Sequence, residues 1–393
     1  MDKKSKWLPF LAKTVSYILV AAVASAVTLM LFHGNVNKGS GKLAELESLL
    51  LTCFVGEADQ KKIEDAGAYA MVDALGDQWS YYIPADQYAD YLESANNSYV
   101  GIGVSVQVRE DEIGVEVETV EPGGGAIKAG IQAGDIIIAV DDQSIAQKTM
   151  DEVRELLRGE VNEPVKLTLL RGEEKITVTV IRQEIQVPVA TATMLPDGIG
   201  LIKINDFDKR CAQETKAAIE QLIDQGAKSL IFDVRFNPGG YRSELVPLLD
   251  YLLPEGDLFH QENYMGKKTT DRSDASCLEM PMAVLVNSSS YSAAEFFAAA
   301  LQEYDWATVV GEQTGGKSYF QRVVQLSDGS AVGLSMGKYS TPKGTDLKEV
   351  GGLTPDIPVA VTQEELVGIY AGTLAPENDP QIQAAIACLK DAK

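Results

Sequence analysis

Apolar residues change their spacing several times along the chain, and each change marks a different kind of element. Residues 14–32, TVSYILVAAVASAVTLMLF, carry no charge and have about the length a bilayer-crossing helix needs. From 42 to 54, Leu43, Leu46, Leu50 and Phe54 recur at three- and four-residue intervals, the signature of one helical face. Ile63, Ala66, Ala70, Met71 and Leu75 repeat that signature as far as Gly76. Between 99 and 184 the texture turns to short β-like runs, GIGVSVQV, GVEVETV, DIIIAV, PVKLTLL and KITVTVI, punctuated by Gly and Asp. One helical stretch, MDEVRELLRG, interrupts them with Val153, Leu156 and Leu157 on one face. Five or six strands with about two short helices predict a small, partly open β-barrel.

After 187, strand and helix signals alternate. GIGLIKI precedes a helical stripe of Cys211, Ala218, Ile219, Leu222 and Ile223, and SLIFDV follows Gly226. MAVLVN, SAAEFFAAALQEY, ATVVGE, SYFQRVVQL and AVGLSMGKYS come later. This alternation predicts an α/β layered core. DPQIQAAIACL reads as a closing helix with Asp379 as N-cap and Pro380 at the first helical position. The expected organisation is a basic segment at 1–13, a membrane span at 14–32, a tether at 33–41, a helical segment at 42–98, a β-rich domain at 99–184 and an α/β core at 185–393.

Charge and composition narrow the function. Acidic residues outnumber basic ones 57 to 34 for a net charge of -23, a field that repels phosphate backbones and argues against nucleic acid as a partner. Cys53, Cys211, Cys277 and Cys388 form no CxxC pair, so neither a zinc site nor a disulfide framework is readable. With only His33 and His260, multi-histidine metal catalysis is excluded, and a Ser-His-Asp triad would rest on His260 alone. Neither metal nor organic cofactor is expected. Lys3, Lys4, Lys6 and Lys13 precede the apolar run, which predicts the N-terminus on the cytoplasmic side of the cell membrane and the folded body outside the cytoplasm. Ala24-Ser25-Ala26 has the small-residue pattern of a cleavage site, but the run continues to Phe32, which favours a retained single-pass anchor.

Candidate chemistry sits where strands meet helices. The strand ending at Val286 runs into Asn287-Ser288-Ser289-Ser290-Tyr291-Ser292 and then a helix. A serine there has its hydroxyl at the positive helix end, and the next N–H, that of Ala293, faces developing oxyanion charge. Ser292 with Glu295 also spells a capping box, a purely structural alternative. Lys317 follows in a Gly-rich stretch, and Gln321, four residues on, would share its face of an extended strand. A lysine serves as general base only when burial lowers its pKa from about 10.4 toward 7 or 8; otherwise Lys317 is a solvated turn residue. Asn237-Pro238-Gly239-Gly240 closes another strand with glycines that let backbone N–H groups approach a substrate.

Two resemblances emerge. The order of the β-rich segment resembles a circularly permuted bacterial PDZ domain. Tyr99, Val100, Gly101, Ile102, Gly103 and Val104 are similar to its carboxylate-binding loop, and Gly130-Ile131-Gln132-Ala133-Gly134-Asp135 to its "AGLxxGD" stretch. Such glycines let successive N–H groups face a peptide's terminal carboxylate while a strand edge pairs with the peptide. Nearly the whole chain after the apolar run resembles the carboxyl-terminal processing proteases, a family of Ser-Lys peptidases. The resemblance rests on Gly76-Asp77-Gln78-Trp79-Ser80-Tyr81-Tyr82, the PDZ start, the stretch Asp233 to Gly240, the Ser292 segment, Lys317 with Gln321, and Gly352-Leu353-Thr354-Pro355-Asp356.

That resemblance implies a layered crotonase/ClpP-like serine protease core with an inserted PDZ domain. It implies Ser292 as nucleophile, Lys317 as general base, Gln321 as its orienting partner, and an oxyanion hole from the N–H groups of Gly239 or Gly240 with Ala293. It further implies peptide or protein substrates held by their C-termini, a homodimer through the helical segment, and an activating partner. Three positions depart from the family pattern: Tyr291 stands where small residues are usual, Gly315 replaces a bulky residue, and Ser318 replaces a glycine. The rival reading is an inactive PDZ adaptor on a protease scaffold; a crotonase-like acyl-CoA enzyme would leave the PDZ insert and the serine unexplained.

Overall fold

The computed structural model describes residues 41–109, 111–121 and 123–391. They divide into two units, one ending at Pro84 and one spanning Ala85–Lys393.

In the first unit, Lys42–Cys53 and Gln60–Asp73 are helices, as their apolar spacing predicts. Asp59 caps the second by accepting from the Lys62 N–H at 3.1 Å. Asp77 Oδ2 accepts from the Ser80 hydroxyl at 2.6 Å, and Tyr82 donates to Asp65 at 2.7 Å, so the GDQWSYY turn is held by its own polar side chains.

The second unit contains the β-rich insert and the α/β core. Six strands between Val104 and Ile181 form one sheet, with the helices Gly125–Lys128 and Met150–Leu157 against it. Their inward residues, among them Val117, Ile137, Leu167, Leu169 and Val180, build a separate apolar core. Ser98–Gly101 pairs antiparallel with Gln183–Gln186, tying the two ends of the insert together.

The α/β core is a six-stranded sheet in the order Ala190–Leu195, Ile199–Ile204, Ser229–Asp233, Met282–Val286, Ala307–Gly311, Ile357–Pro358. The first pair is antiparallel and the rest are parallel. The parallel strands are apolar almost throughout because both faces are covered. Phe232, Val284, Val286 and Val309 point to the helices Cys211–Asp224, Arg242–Leu252 and Ala293–Glu303. Their neighbours Ile231, Ala283, Leu285 and Val310 meet the closing helix Pro380–Asp391. Asp379 caps that helix as expected, accepting from the N–H groups of Gln381 and Ile382.

The expectation of a membrane-spanning helix, and of single-pass anchoring that would place the catalytic part outside the cytoplasm, is corrected here. No helix among the described residues is long and apolar enough to cross a membrane. Helices of 14 residues such as Gln60–Asp73 and Cys211–Asp224 reach about 21 Å at 1.5 Å per residue, short of a bilayer core of about 30 Å. Residues 14–32, and with them the basic segment and most of the tether, lie outside the described residues.

Candidate active site

Three adjacent parallel strands, Ser229–Asp233, Met282–Val286 and Ala307–Gly311, deliver the three candidate segments to one edge of the sheet. The carboxyl ends of strands in an open α/β sheet are where ligands generally bind. After the first strand come Arg235 and the NPGG turn; after the second, Ser292; after the third, Lys317.

The first two loops are stitched together by buried polar groups. Ser290 Oγ donates to the Val234 carbonyl at 2.8 Å, and Asn287 Oδ1 accepts from the Phe236 N–H at 3.0 Å. Tyr291 N–H donates to Asn237 O at 3.0 Å, while Asn237 Nδ2 reaches the Ile204 carbonyl at 2.9 Å. Arg235 is buried between Asp233, at 2.7 Å, and Asp379, at 2.8 Å, linking the strand end to the closing helix. Burial alone would lower its pKa, but the two carboxylates outweigh it and hold the guanidinium above its ordinary value.

Ser292 sits at φ +53° and ψ −118°, a sparsely populated conformation for a residue with a side chain. Gly239 makes it room: a Cβ there would lie 2.8 Å from Ser292 Cβ and 2.9 Å from the Ala293 nitrogen. Gly239's own N–H donates to Asn237 Oδ1 at 2.8 Å and is thereby engaged. Gly240 packs on the backbone of Phe207, where a Cβ would collide with the Phe207 carbonyl. The flanking bonds Phe207 N–H to Gly239 O and Tyr241 N–H to Phe207 O, both 2.7 Å, fix this turn.

Glu295 joins the serine loop to the lysine loop, and sequence reasoning saw only its capping role. Its carboxylate is fully buried. Oε2 accepts from the N–H groups of both Ser292 and Lys317, each at 2.8 Å. Oε1 accepts from Gly316 N–H at 2.7 Å and Thr314 Oγ1 at 2.5 Å. Leu353 N–H in turn donates to Thr314 Oγ1 at 2.7 Å, so the GLTPD stretch buttresses the lysine loop. No pattern local to residues 292–295 reveals those distant donors.

Gln321 lies in the strand Tyr319–Gln325, and its Nε2 donates to Ser335 Oγ at 2.9 Å and to the Tyr319 carbonyl at 3.1 Å. A register shift between Phe320 and Gln321, with Lys317 ahead of the strand, removes the simple alternation behind the shared-face argument. His260 engages Thr270 Oγ1 through Nδ1 at 2.8 Å and the Pro342 carbonyl through Nε2 at 3.0 Å, so both ring nitrogens are taken by these groups. A carbonyl only accepts, which puts the proton of neutral His260 on Nε2.

The three departures acquire reasons. The Tyr291 ring fills the space that any Cβ on residue 315 would need, so a large residue at 291 and none at 315 compensate each other. Ser318 is buried and its hydroxyl meets Asp346 Oδ1 at 2.5 Å, anchoring the chain just after the lysine.

Beside the NPGG turn, burial pushes the Asp208 carboxyl up to about 7, with Asp206 and Glu244 adding to the effect. Tyr241 rises to about 12 by burial, with Tyr91, Asp208 and Tyr88 contributing.

In the insert, the Tyr99 to Val104 loop lines a groove of about 470 Å³ together with Val106, Met150, Leu157, Arg154 and Arg158. Gly103, at φ +79°, is needed because a Cβ would meet the Gly124 backbone at 2.7 Å.

A layered α/β core with candidate serine and lysine segments at its strand ends, interrupted by a β-rich domain with a loop-lined groove, is the build of a PDZ-bearing serine peptidase. A family model described as "Peptidase family S41" matches residues 198–359, and a PDZ domain model matches residues 116–171. A relative from Staphylococcus aureus (strain COL) described as "Probable CtpA-like serine protease" is 28% identical over 375 residues, covering 93% of this chain and 75% of its own. The corresponding protein of Staphylococcus haemolyticus is 28% identical over 362 residues, covering 90% of this chain and 72% of its own. The crystal structure of an S41-protease homologue from Bacteroides fragilis shares the fold, with a TM-score of 0.51 at 16% identity over 88% of this chain and 97% of that one. Residues 198–359 thus match peptidase family S41 and residues 116–171 a PDZ domain, and over most of its length the chain is similar to CtpA-like serine proteases.

Proposed function

We propose that this protein is an endopeptidase that captures substrates by their C-termini and cleaves them through a Ser292 acyl-enzyme. Ser292 Oγ attacks the scissile carbonyl carbon while the neutral Lys317 amine takes its proton. The tetrahedral oxyanion is met by the N–H groups of Gly240 and Ala293, with Gly239 providing the close approach. Collapse breaks the C–N bond and returns the lysine's proton to the leaving amine. Water then attacks the ester, Lys317 accepts its proton, and Ser292 leaves reprotonated. Gln321, itself held by Ser335 of the neighbouring antiparallel strand Ala331–Ser340, orients the lysine. The sequence needs no metal or organic cofactor.

The observation that carries this reading is the shared Glu295 oxygen, which holds the Ser292 and Lys317 backbones in one constellation. The test is cleavage of a free-acid peptide by the full chain, Ser292→Ala and Lys317→Ala. Either substitution abolishes turnover with the fold retained, and the double variant loses little more than either single one. Because the neutral amine is the base, the rate rises with pH. Normal cleavage by Lys317→Ala, or peptide binding without any turnover by the unsubstituted chain, would overturn the assignment; the latter would favour the adaptor reading.

A further inference from the structure

The charged end of the PDZ groove already holds a carboxylate. Glu93, on the helix Tyr88–Ala95, accepts from the Val100 N–H of the loop through Oε1 at 3.0 Å, and its Oε2 lies 3.8 Å from Arg158. Asp90, one helical turn earlier, pairs with Arg158 at 2.8 Å, and Glu155 lies 3.8 Å away. Arg158 also lines the groove, beside Leu157 and the loop. One guanidinium and one loop N–H thus bind a carboxylate in the same manner in which a peptide's C-terminus would be bound.

We propose that Arg158 is the charged recognition residue for a substrate's terminal carboxylate, and that Asp90 and Glu93 act as built-in competitors for it. The proposal rests on the C-terminal capture described above. Arg158 and Asp90 are partly exposed, so each pairing is weak enough to exchange for an incoming ligand. An apolar last residue would lie against Met150, Leu157 and Val106. Among chains offering the same apolar end, the groove then selects those with a free α-carboxylate, and the competitors set the concentration at which they bind.

The experiment measures binding of a fluorescein-labelled nonapeptide ending in valine, as free acid and as amide, to the full chain carrying Ser292→Ala to prevent turnover. Asp90→Asn with Glu93→Gln keeps the acceptor for the Val100 N–H while removing both charges. It should tighten the free acid about three- to tenfold, the scale of one or two partly exposed ion pairs, and leave the amide unchanged. Arg158→Gln should remove the free-acid preference and abolish the gain from the double substitution. An unaltered or weaker free-acid affinity in the double variant, with the free-acid preference intact, would overturn the competitor proposal while sparing C-terminal capture. Equal binding of acid and amide by the parent would overturn C-terminal capture, and the proposal with it.

Discussion

Replacing Glu295 by glutamine tests the joint between the two loops without changing side-chain volume. The carboxylate receives four hydrogen bonds in a fully buried site. Glutamine has one carbonyl oxygen and one amide nitrogen, and the nitrogen cannot accept. If the nitrogen faces Ser292 and Lys317, two buried N–H groups lose their partner; if it faces Gly316 and Thr314, one N–H does, while the threonine hydroxyl can rotate. An orphaned buried donor costs about 1–3 kcal/mol, so the expected loss of stability is about 2–4 kcal/mol. On the proposed mechanism, relaxation of either loop would separate Ser292 from Lys317, and a displacement on the order of 1 Å is enough for about a hundredfold loss in turnover. Urea unfolding with single-turnover cleavage measures both quantities on one sample. Unchanged stability together with unchanged turnover would refute the inference that Glu295 holds the loops together.

Other consequences follow from particular contacts. Gly315→Leu should unfold or inactivate the protein, and Tyr291→Ala in the same chain should recover much of the loss; a double-mutant cycle by thermal melting shows it, and additive effects would contradict the compensation. Arg235→Met should destabilise by about 3–5 kcal/mol, because Asp233 and Asp379 would remain buried without a cation, as chemical denaturation can measure. Asp208 has a folded pKa raised from 3.8 to about 7, so its contribution is fully present below about pH 4 and is lost as pH rises to 7. Asp208→Asn should therefore flatten that part of the stability profile and stabilise the protein by about 1–2 kcal/mol at pH 8 after allowance for solvent screening. A melting-temperature series from pH 4 to 8 that parallels the parent would contradict it.

Much of the architecture is legible in the chain because its signals are local. The apolar runs around Phe232, Val284 and Val309 announce buried parallel strands, and the Asp379-Pro380 pair announces the last helix. The candidate residues were legible as motifs, but their joint was not. Glu295 meets donors about twenty residues away, on the loop after a neighbouring strand, and spacing within one element carries no record of such a contact. The same limit applies to Gln321, where a register shift that sequence alternation does not encode redirects the side chain toward Ser335. Tyr291 and Gly315 looked like separate departures until the ring and the missing Cβ fell in one place. Nothing in the local spacing of Asp90 and Glu93 points to Arg158, which lies 68 residues along the sequence from Asp90.

The most direct test of the Ser292–Lys317 constellation is mass-spectrometric mapping of a fluorophosphonate label, which reacts with an activated serine hydroxyl. A single adduct is expected on the peptide containing Ser292, lost in Ser292→Ala and suppressed in a folded Lys317→Ala variant. An adduct on another serine, or undiminished Ser292 labelling without the lysine, would contradict it.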